Sequence, residues 1–241
     1  MYTTKASSGA AGGSGGTVLD NKLNGAEAMV RMLQAHDVRH IFGLCGDTSL
    51  PFYDAMHLLD HDIEHVLTRD ERSAGYMADG YSRVTGRPGI CEGPSGGGAT
   101  YILPGLIESS ESSIATLAIT SDISVSTYGR YPLTEVDQEA LMRPLTKWNT
   151  VIRKAEHIPR MVRAAFRAMT TGRPGAAHLG LPYDIQYDPV DSSDIWADRG
   201  LATYPAYRTG PEAEAVEADP HAAPAAVDHD TLHDAPKLAD T

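Results

Sequence analysis

Residues 66–100 read VLTRDERSAGYMADGYSRVTGRPGICEGPSGGGAT, and the interpretation of the whole chain starts from this stretch. The apolar run Ile63 to Leu67, at its start, ends at charged residues, which is typical of a buried strand that stops at the edge of a sheet. A helix is predicted next, because apolar side chains recur on one helical face: Ala74, Met77, Ala78, Tyr81 and Val84. Residues 86–89, a Gly-Arg-Pro-Gly run, end this helix, and Ile90 to Gly93 form a second strand.

Both predicted strands are followed by residues that can carry chemistry. Glu71 comes after the first strand and opens the helix, and a glycine-rich loop, Gly96 to Thr100, comes after the second. In a parallel sheet the carboxyl ends of both strands lie at the same rim, where such folds bind ligands. Alone, Glu71 is better explained as a carboxylate that interacts favourably with the helix dipole. Together with the glycine loop, it predicts a ligand site.

These residues, at this spacing, resemble the pyrimidine-binding domain of thiamine diphosphate-dependent enzymes, in the acetolactate synthase-like group. The matching motifs are Arg69-x-Glu71, the run from Met77 to Gly89, and Ser95-Gly96-x-Gly98-Ala99-Thr100. In that family the glutamate after the second strand hydrogen-bonds the aminopyrimidine ring of the cofactor and switches on its carbanion chemistry, so the resemblance implies that Glu71 is catalytic. It implies these cofactor-binding residues: Gly46, Glu71, Ser95, Gly96, Gly97, Gly98 and Thr100.

The glycine-rich loop allows two interpretations. A glycine loop between a strand and a helix can bind phosphate at the helix N-terminus. Gly96-Gly97-Gly98 lacks the G-x-G-x-x-G spacing, however, so this signal is weak. The resemblance instead implies that the loop lets the backbone approach the cofactor ring or the partner subunit closely. We favour this second interpretation.

The first strand of the domain, Val38 to Leu44, carries the same resemblance. The motif V-x-x-I-F-G-x-x-G over residues 38–46 matches the first strand and loop of the family, which usually has proline where Cys45 stands. Cys45 and Cys91 are the two cysteines of the chain and lack C-x-x-C spacing. We therefore expect two buried, unreactive thiols in a reducing cytoplasm.

The remaining apolar patterns complete an α/β domain. We predict helices over Asn24 to Asp37, after Thr48, over Thr100 to Ser112 and over His157 to Thr170, and strands over Ile114 to Thr120, Thr150 to Arg153 and Ala176 to Leu181. Six strands then alternate with helices. This order indicates a doubly wound, six-stranded, mostly parallel sheet with helices on both faces, the thiamine diphosphate-binding fold.

Residues 123–138 have no clean period and predict a long loop, of the kind that is usually functional or mobile. Part of it, Gly129 to Asp137, resembles a family segment that lies near the active site of a neighbouring subunit. The resemblance therefore assigns Leu133, Thr134 and Glu135 to a substrate or neighbouring-subunit loop. Acetolactate synthases usually have Phe-Gln where Leu133-Thr134 stand, which leaves the donor and acceptor substrates open.

The composition divides the chain into three parts. Residues 1–22 predict a flexible Gly/Ser-rich tail, residues 23–188 the pyrimidine-binding domain, and residues 189–241 an extended segment, with Trp196 packed on the domain or a partner, and an acidic Ala/Pro-rich tail. Residues 209–241 hold eight acidic residues and one lysine, so they carry −7 of the net charge of −12. His229 and His233 share a helical face there, but in so acidic a tail we favour no metal site in this chain.

Several classes of protein are excluded by composition. The chain has no apolar run of ~18 residues, and its N-terminus lacks the apolar core of a signal peptide. We expect a cytoplasmic protein without a membrane-spanning helix. A net charge of −12 without a basic cluster argues against nucleic acid and anionic membranes as partners. A dinucleotide-dependent oxidoreductase is disfavoured, because its fingerprint is missing.

The chain also lacks half of the active site that the resemblance implies. In the family a second domain binds Mg²⁺ and the diphosphate through a Gly-Asp-Gly motif, and this motif is absent here. We expect one subunit of a split enzyme rather than a fragment, because the chain ends in an ordinary Ala-Asp-Thr. Its partner would be a separate Gly-Asp-Gly subunit that holds Mg²⁺, in a hetero-oligomer built on a dimer that acts on 2-oxo acids by decarboxylation or carboligation. The alternative is a non-catalytic binding or regulatory partner that retains the fold.

Overall fold

The computed structural model describes residues 22–201. Within this range the strands are β1 (Lys22–Asn24), β2 (His40–Gly43), β3 (Glu64–Leu67), β4 (Gly89–Gly93), β5 (Thr116–Asp122), β6 (Trp148–Val151), β7 (Ala177–Pro182) and β8 (Pro189–Asp191). The α-helices are α1 (Gly25–Ala35), α2 (Leu50–Leu58), α3 (Glu71–Thr85), α4 (Gly97–Tyr101), α5 (Leu103–Glu111), α6 (Gln138–Met142) and α7 (Ile158–Thr170). The predictions for the Gly/Ser-rich head, the acidic tail, His229 and His233 lie outside the described residues.

The central sheet has six strands in the order β3-β2-β4-β5-β7-β6, and every neighbouring pair is parallel. β4, β5 and β7 are buried along their whole length, as expected for a parallel sheet that is covered on both faces. The chain steps outward from β2 to β3 and then crosses back to β4 on the other side of β2. The carboxyl ends of β2 and β4 therefore border the switch point at which ligands bind in such folds.

Successive residues of the central strands point to opposite faces of the sheet and enter two separate cores. Ile41, Ile90 and Leu117 pack with α1, α2 and α7 in one cluster. The next residue of each strand, Phe42, Cys91 and Ala118, packs with α3 and α5 in the other cluster. Because side chains alternate between the two faces of the sheet, each face packs against its own set of helices. This arrangement confirms the doubly wound α/β fold that the sequence predicts.

One predicted helix is two helices in the structure. The segment from Thr100 to Ser112 belongs to α4, which already begins at Gly97, and to α5, which begins at Leu103. Pro104 lies in the first turn of α5, where its missing N–H is tolerated but cannot continue the hydrogen-bond ladder of α4. β6 also begins and ends two residues before the predicted strand from Thr150 to Arg153.

The core extends past Asp188, where the sequence places the end of the domain, and β7 is not the last strand. β8 pairs antiparallel with β1, so that Leu23 lies opposite Val190. Val190 and Leu201 are both buried in the cluster that contains α1 and α7. The residues that follow Asp188 therefore contribute to the same core as the predicted domain.

The segment after β8 is held against α7 by one arginine. Arg163 Nη2 lies 2.9 Å from Asp194 Oδ1, and the guanidinium carbon is 4.1 Å from the centre of the Trp196 ring. A guanidinium stacked on an aromatic ring adds attraction to the ion pair. The predicted packing of Trp196 on the domain has its structural basis in this contact. No α-helix among residues 22–201 combines the length and apolar character needed to span a membrane.

Candidate functional site

The helix that carries Glu71 begins with a charged cap. Asp70 has an extended backbone and accepts a hydrogen bond from the backbone N–H of Arg72, so Glu71 is the first helical residue of α3. Arg72 also donates through Nε and Nη2 to the two oxygens of Asp70, at 2.9 Å and 2.8 Å. These hydrogen bonds lower the pKa of Asp70 to about 2. Arg72 thus pairs with Asp70, and Arg69 is exposed.

The Glu71 carboxylate lies beside the backbone of β4 and of the glycine-rich loop. A Cβ added to Gly93 would be 3.4 Å from Glu71 Cγ, and one added to Gly98 would be 3.2 Å from Glu71 Oε1. None of residues 22–201 forms a hydrogen bond with this carboxylate. Its oxygens are therefore free to bond a ligand that approaches across the two glycines.

The glycine-rich loop has a backbone that strongly favours glycine. Gly96 has φ of +64°, and a Cβ there would lie 2.7 Å from Thr134 Cβ. Ser95 Oγ lies 2.8 Å from Thr134 Oγ1, so the loop around residue 134 closes onto the glycine loop. The structure thus joins two segments that the sequence assigns to different parts of the site.

A third loop, between β2 and α2, completes this edge of the sheet. A Cβ on Gly46 would be 2.5 Å from Pro94 Cβ, so the two loops touch. Thr48 Oγ1 donates to Ser95 Oγ and accepts from the Ser95 backbone N–H, both at 3.1 Å. It also lies 3.0 Å from Ser121 Oγ on β5. Thr48 therefore links the loops after β2 and β4 to the end of β5.

The other predicted site residues have contacts of their own. Thr100 Oγ1 donates to the Gly97 carbonyl oxygen at 2.7 Å and stabilises the turn of α4. Glu135 Oε1 accepts from the Gly129 backbone N–H at 2.7 Å, which braces its own loop. Leu133 is 90% exposed.

One expectation about the cysteines is wrong. Cys91 is buried as predicted, but Cys45 is exposed, because it lies in the loop beyond the last paired residue of β2. Partial burial of its thiol nevertheless raises the pKa of Cys45, and nearby carboxylates raise it further. A raised pKa keeps the thiol protonated and makes Cys45 a poor nucleophile.

A separate cavity of about 300 Å³ opens beyond β5 and β6. Asp122 is buried in its wall and accepts a 2.6 Å hydrogen bond from Tyr128 Oη, and burial raises the pKa of this carboxyl. Arg153 is held by Glu139 on another wall. Of the predicted site residues, only Glu135 lines this cavity, so it is distinct from the edge that Glu71 and the glycines form.

The sequence interpretation missed two polar residues of this region. Thr48 and Glu92 both lie next to predicted site residues, but neither belongs to a quoted motif. Glu92 offered a signal, since a charged residue inside an otherwise apolar buried strand requires an explanation. Thr48 offered none, because its partners are 47 and 73 residues away in the sequence.

The parallel sheet, its switch point and the carboxylate beside two glycines are consistent with the domain that the sequence resembles. Residues 23–141 match the family model described as thiamine pyrophosphate enzyme, N-terminal TPP binding domain. The chain carries the pyrimidine-binding domain of this family, in its acetolactate synthase-like group.

The similar proteins are acetolactate synthases. The chain is 41% identical over 169 residues to a probable acetolactate synthase large subunit of Methanocaldococcus jannaschii. The matched segment covers 70% of this chain and 28% of the relative. It is 38% identical over 164 residues to the acetolactate synthase isozyme 2 large subunit of Escherichia coli, and this match covers 68% of this chain and 30% of the relative. An acetolactate synthase of Arthrospira platensis is 35% identical over 181 residues, and this match covers 72% of this chain and 31% of the relative. The chain thus spans less than a third of the length of these relatives.

The residues present fit the pyrimidine half of thiamine diphosphate. An aminopyrimidine ring requires a carboxyl group that can share a proton with a ring nitrogen, and it requires a flat surface for close approach. The Glu71 carboxylate has no hydrogen-bond partner among residues 22–201, and a side chain at Gly98 would crowd Oε1. Within the same residues, no group of three or more His, Cys, Asp or Glu side chains is arranged to hold a metal ion.

Proposed function

We propose that this chain is the pyrimidine-binding half of a thiamine diphosphate-dependent, acetolactate synthase-like enzyme that acts on 2-oxo acids. The observation that supports this proposal best is the position of Glu71. Its carboxylate lies at the switch-point edge of a parallel sheet, beside Gly93 and Gly98, without a hydrogen-bond partner among the described residues. Thiamine diphosphate, when bound, would supply the carbanion chemistry toward 2-oxo acids that protein side chains lack.

In this proposal the residues of the chain orient the cofactor and move one proton. Glu71 holds the proton that it shares with the pyrimidine ring, and general acid–base groups of this kind typically contribute about 10²–10⁴-fold. Asp70 binds the Arg72 guanidinium through two hydrogen bonds, so that this guanidinium is paired with Asp70. Thr48, Ser95 and Thr134 fix the loops around the ring by their hydroxyl hydrogen bonds.

The proposal requires a second polypeptide segment. No Gly-Asp-Gly motif occurs in the 241 residues, so the diphosphate and Mg²⁺ are held by a separate Gly-Asp-Gly subunit. We place the two in a hetero-oligomer built on a dimer.

Titration calorimetry with thiamine diphosphate and Mg²⁺ tests this division of the site. The isolated chain should bind the cofactor weakly or not at all, and a mixture with a Gly-Asp-Gly partner subunit should bind tightly. Glu71→Gln in the mixture should still bind but lose turnover. Tight binding by the isolated chain would refute the split site.

A second candidate function is a non-catalytic binding or regulatory partner that retains the fold. It is favoured by the loop between β5 and α6, where Leu133 stands in place of the phenylalanine usual in acetolactate synthases and is 90% exposed. In that case the mixture would bind the cofactor, and wild type and Glu71→Gln would show the same turnover.

A further inference from the structure

Four hydroxyl groups from four parts of the chain form a hydrogen-bonded row beside the glycine-rich loop. Ser121 Oγ, near the end of β5, lies 3.0 Å from Thr48 Oγ1, in the segment between β2 and α2. Thr48 Oγ1 lies 3.1 Å from Ser95 Oγ, and Ser95 Oγ lies 2.8 Å from Thr134 Oγ1. The row therefore reaches from the buried sheet to the loop that carries residue 134.

Burial at the two ends of the row decides the direction in which its hydroxyl groups donate. Each hydroxyl has one hydrogen, so three contacts leave one of the four hydrogens without an acceptor in the row. At the inner end Ser121 is 3% exposed, and a hydrogen left over there would be buried without a partner, which is costly. At the outer end Thr134 is exposed. The hydrogens therefore point from Ser121 toward Thr134, and the Thr134 hydrogen has no acceptor among residues 22–201.

Thr48 uses its whole hydrogen-bonding capacity within this row. Its hydroxyl donates to Ser95 Oγ and accepts the Ser95 backbone N–H, both at 3.1 Å. Because its one hydrogen is already donated, Thr48 is the acceptor in the contact with Ser121. One donated and two accepted hydrogen bonds are all that a hydroxyl group can form. Thr48 thus anchors both the side chain and the backbone of Ser95.

Ser95 in turn holds Thr134 in a strained conformation. Thr134 has φ of +73°, in the left-handed region, which is a genuine outlier for a β-branched residue. A conformation of this kind persists only where surrounding contacts hold it, and such residues cluster at functional sites. The contacts here are the hydrogen bond with Ser95 and the approach to Gly96, where an added Cβ would be 2.7 Å from Thr134 Cβ. The position of the Thr134 hydroxyl therefore depends on Ser95, and through Ser95 on Thr48.

The uncommitted hydrogen of Thr134 lies beside the loop that Glu71 also contacts. Thr134 meets this loop at Gly96, and Glu71 meets it at Gly98, where an added Cβ would be 3.2 Å from Glu71 Oε1. Hydroxyl groups that donate in one direction polarise one another, which strengthens the last donor of the row. A donor at this loop suits an acceptor oxygen, and a 2-oxo acid offers such oxygens in its carboxylate and carbonyl groups.

We propose that Thr48 is a positioning residue: through Ser95 it holds Thr134 in the strained conformation from which the Thr134 hydrogen is donated to an oxygen of the bound 2-oxo acid. The proposal rests on the function proposed above. Thr48 does not contact the substrate and acts only through the row. Without the Thr48 hydroxyl, Ser95 loses its anchor, and residue 134 relaxes to an ordinary backbone conformation.

NMR spectroscopy of the isolated full chain tests the anchoring without cofactor or partner. The backbone chemical shifts of Thr134 report whether this residue is left-handed, and in the wild type we expect that it is. Thr48→Val keeps the shape of the side chain but removes the hydroxyl, so the left-handed shifts should be lost. Thr48→Ser keeps the hydroxyl and should preserve them.

Steady-state kinetics of the complex with the Gly-Asp-Gly subunit, with pyruvate as a small 2-oxo acid, test the role in substrate binding. Thr134→Val and Thr48→Val should each raise KM for pyruvate about tenfold, the effect of one hydrogen bond to a charged group, with little change in kcat. The double variant should be no worse than either single variant, because both substitutions remove the same contact. Thr48→Ser should stay near wild type, as should the control Thr85→Val, which removes an exposed hydroxyl at the end of α3.

The two measurements separate this proposal from the proposed function. A left-handed Thr134 in Thr48→Val would overturn the proposal, as would effects on KM that multiply in the double variant. A rise in KM that Thr48→Ser shares would show that Thr48 contributes only packing. An inactive wild-type complex, with the Thr134 shifts as expected, would instead refute the proposed function and leave the anchoring of Thr134 by Thr48 standing.

Discussion

Glu71→Gln keeps the shape of the side chain but removes the proton that the proposed reaction needs. We expect turnover of 2-oxo acid by the complex with the Gly-Asp-Gly subunit to fall by about 10²–10⁴-fold, the usual contribution of a general acid–base group. The free energy of unfolding should change by only about 0.3–1 kcal/mol, the value of a carboxylate at a helix N-terminus. Glu64→Gln, on the exposed side of β3, is the matched control. Near-normal turnover in Glu71→Gln would show that Glu71 only stabilises α3.

His36 should make the domain sensitive to acid. Its ring is 3% exposed and stacks on Phe166 at 3.9 Å, and neither ring nitrogen has a hydrogen-bond partner among residues 22–201. Burial lowers the pKa of His36 to about 4, and the charge of Arg163 lowers it further. The pKa of His36 is lower in the folded than in the unfolded protein, so acid protonates the unfolded state first. The contribution of neutral His36 to the free energy of unfolding is therefore complete above about pH 6.5 and is lost as the pH falls toward about 4.

His36→Phe keeps the stack and removes the titrating group. As the pH falls from 6.5 to 4, the free energy of unfolding of the variant should decrease by up to about 3 kcal/mol less than that of wild type. Part of the acid sensitivity should remain, since burial also lowers the pKa of His178, to about 3. Urea denaturation at several pH values measures the difference, with His57→Gln, at an exposed position, as the control. Parallel pH profiles for wild type and His36→Phe would contradict the assignment.

At the level of single residues, the sequence identified those with a signal that is local in the chain. Glu71 was identifiable because it follows an apolar run and opens an amphipathic helix, and its catalytic role stays a prediction. Thr48 was not identifiable, since its hydroxyl meets partners on β4 and β5 that only the folded sheet brings near. Cys45 was wrongly predicted to be buried, because the apolar character of a strand does not show at which residue other elements cease to cover it.

Among the elements, α3 and α5 pack more closely than side chains would allow. A Cβ on Gly105 would lie 2.5 Å from the carbonyl carbon and 2.7 Å from the Cα of Gly75. Both contacts are with backbone, which cannot move aside as a flexible side chain can. The two helices therefore depend on this glycine pair for their spacing.

Gly105→Ala should push these two helices apart and lower the free energy of unfolding by about 1–3 kcal/mol, as overpacking does elsewhere. Gly80→Ala, on α3, is the matched control, because a Cβ there has no atom within 4 Å. In a helix interior that change should stabilise the protein by about 0.5–1 kcal/mol. Chemical denaturation of both variants measures the contrast, and equal effects would show that the helices can separate freely.

Helices and strands were predictable where one spacing of apolar residues persisted over many positions. α3 and α7 form where the sequence predicts helices, and the six strands of the sheet follow from apolar runs separated by turn residues. The predicted apolar face of α3 is only partly correct, because Ala74 and Ala78 are buried but Met77 and Val84 are exposed. The break between α4 and α5 was missed, since the apolar pattern runs through it and only Pro104 marks it. β1 and β8 have three residues each, which is too short for any period to show.

On the scale of the whole molecule, the core should not survive removal of the residues after Asp188. A variant that ends at Asp188 loses the buried side chains of Val190 and Leu201, and each such side chain contributes about 1.5–3 kcal/mol. We expect it to be less stable than a variant that ends at Leu201 by at least about 3 kcal/mol. Urea denaturation of the two variants decides the point. Equal stability would place the end of the domain at Asp188, as the sequence alone does.

The architecture was predictable from the order of elements, but the closure of the domain was not. Alternating strands and helices permit few arrangements once crossovers are right-handed, so the sheet followed from the sequence. The pairing of residues 22–24 with residues 189–191 joins segments about 165 positions apart, and neither segment has a strong strand pattern. Such contacts are decided by the assembled core, not by local preference.

The pairing of β1 with β8 has a consequence for how this domain can be moved between proteins. Lys22 lies opposite Asp191, so the first and last strands of the described domain are direct neighbours. Adjacent ends allow a domain to be transplanted into a loop of another polypeptide, or its ends to be joined and new ones opened elsewhere, without stretching the fold. The same unit can therefore serve as a separate chain or as a cassette within a longer one, with its Glu71 edge unchanged.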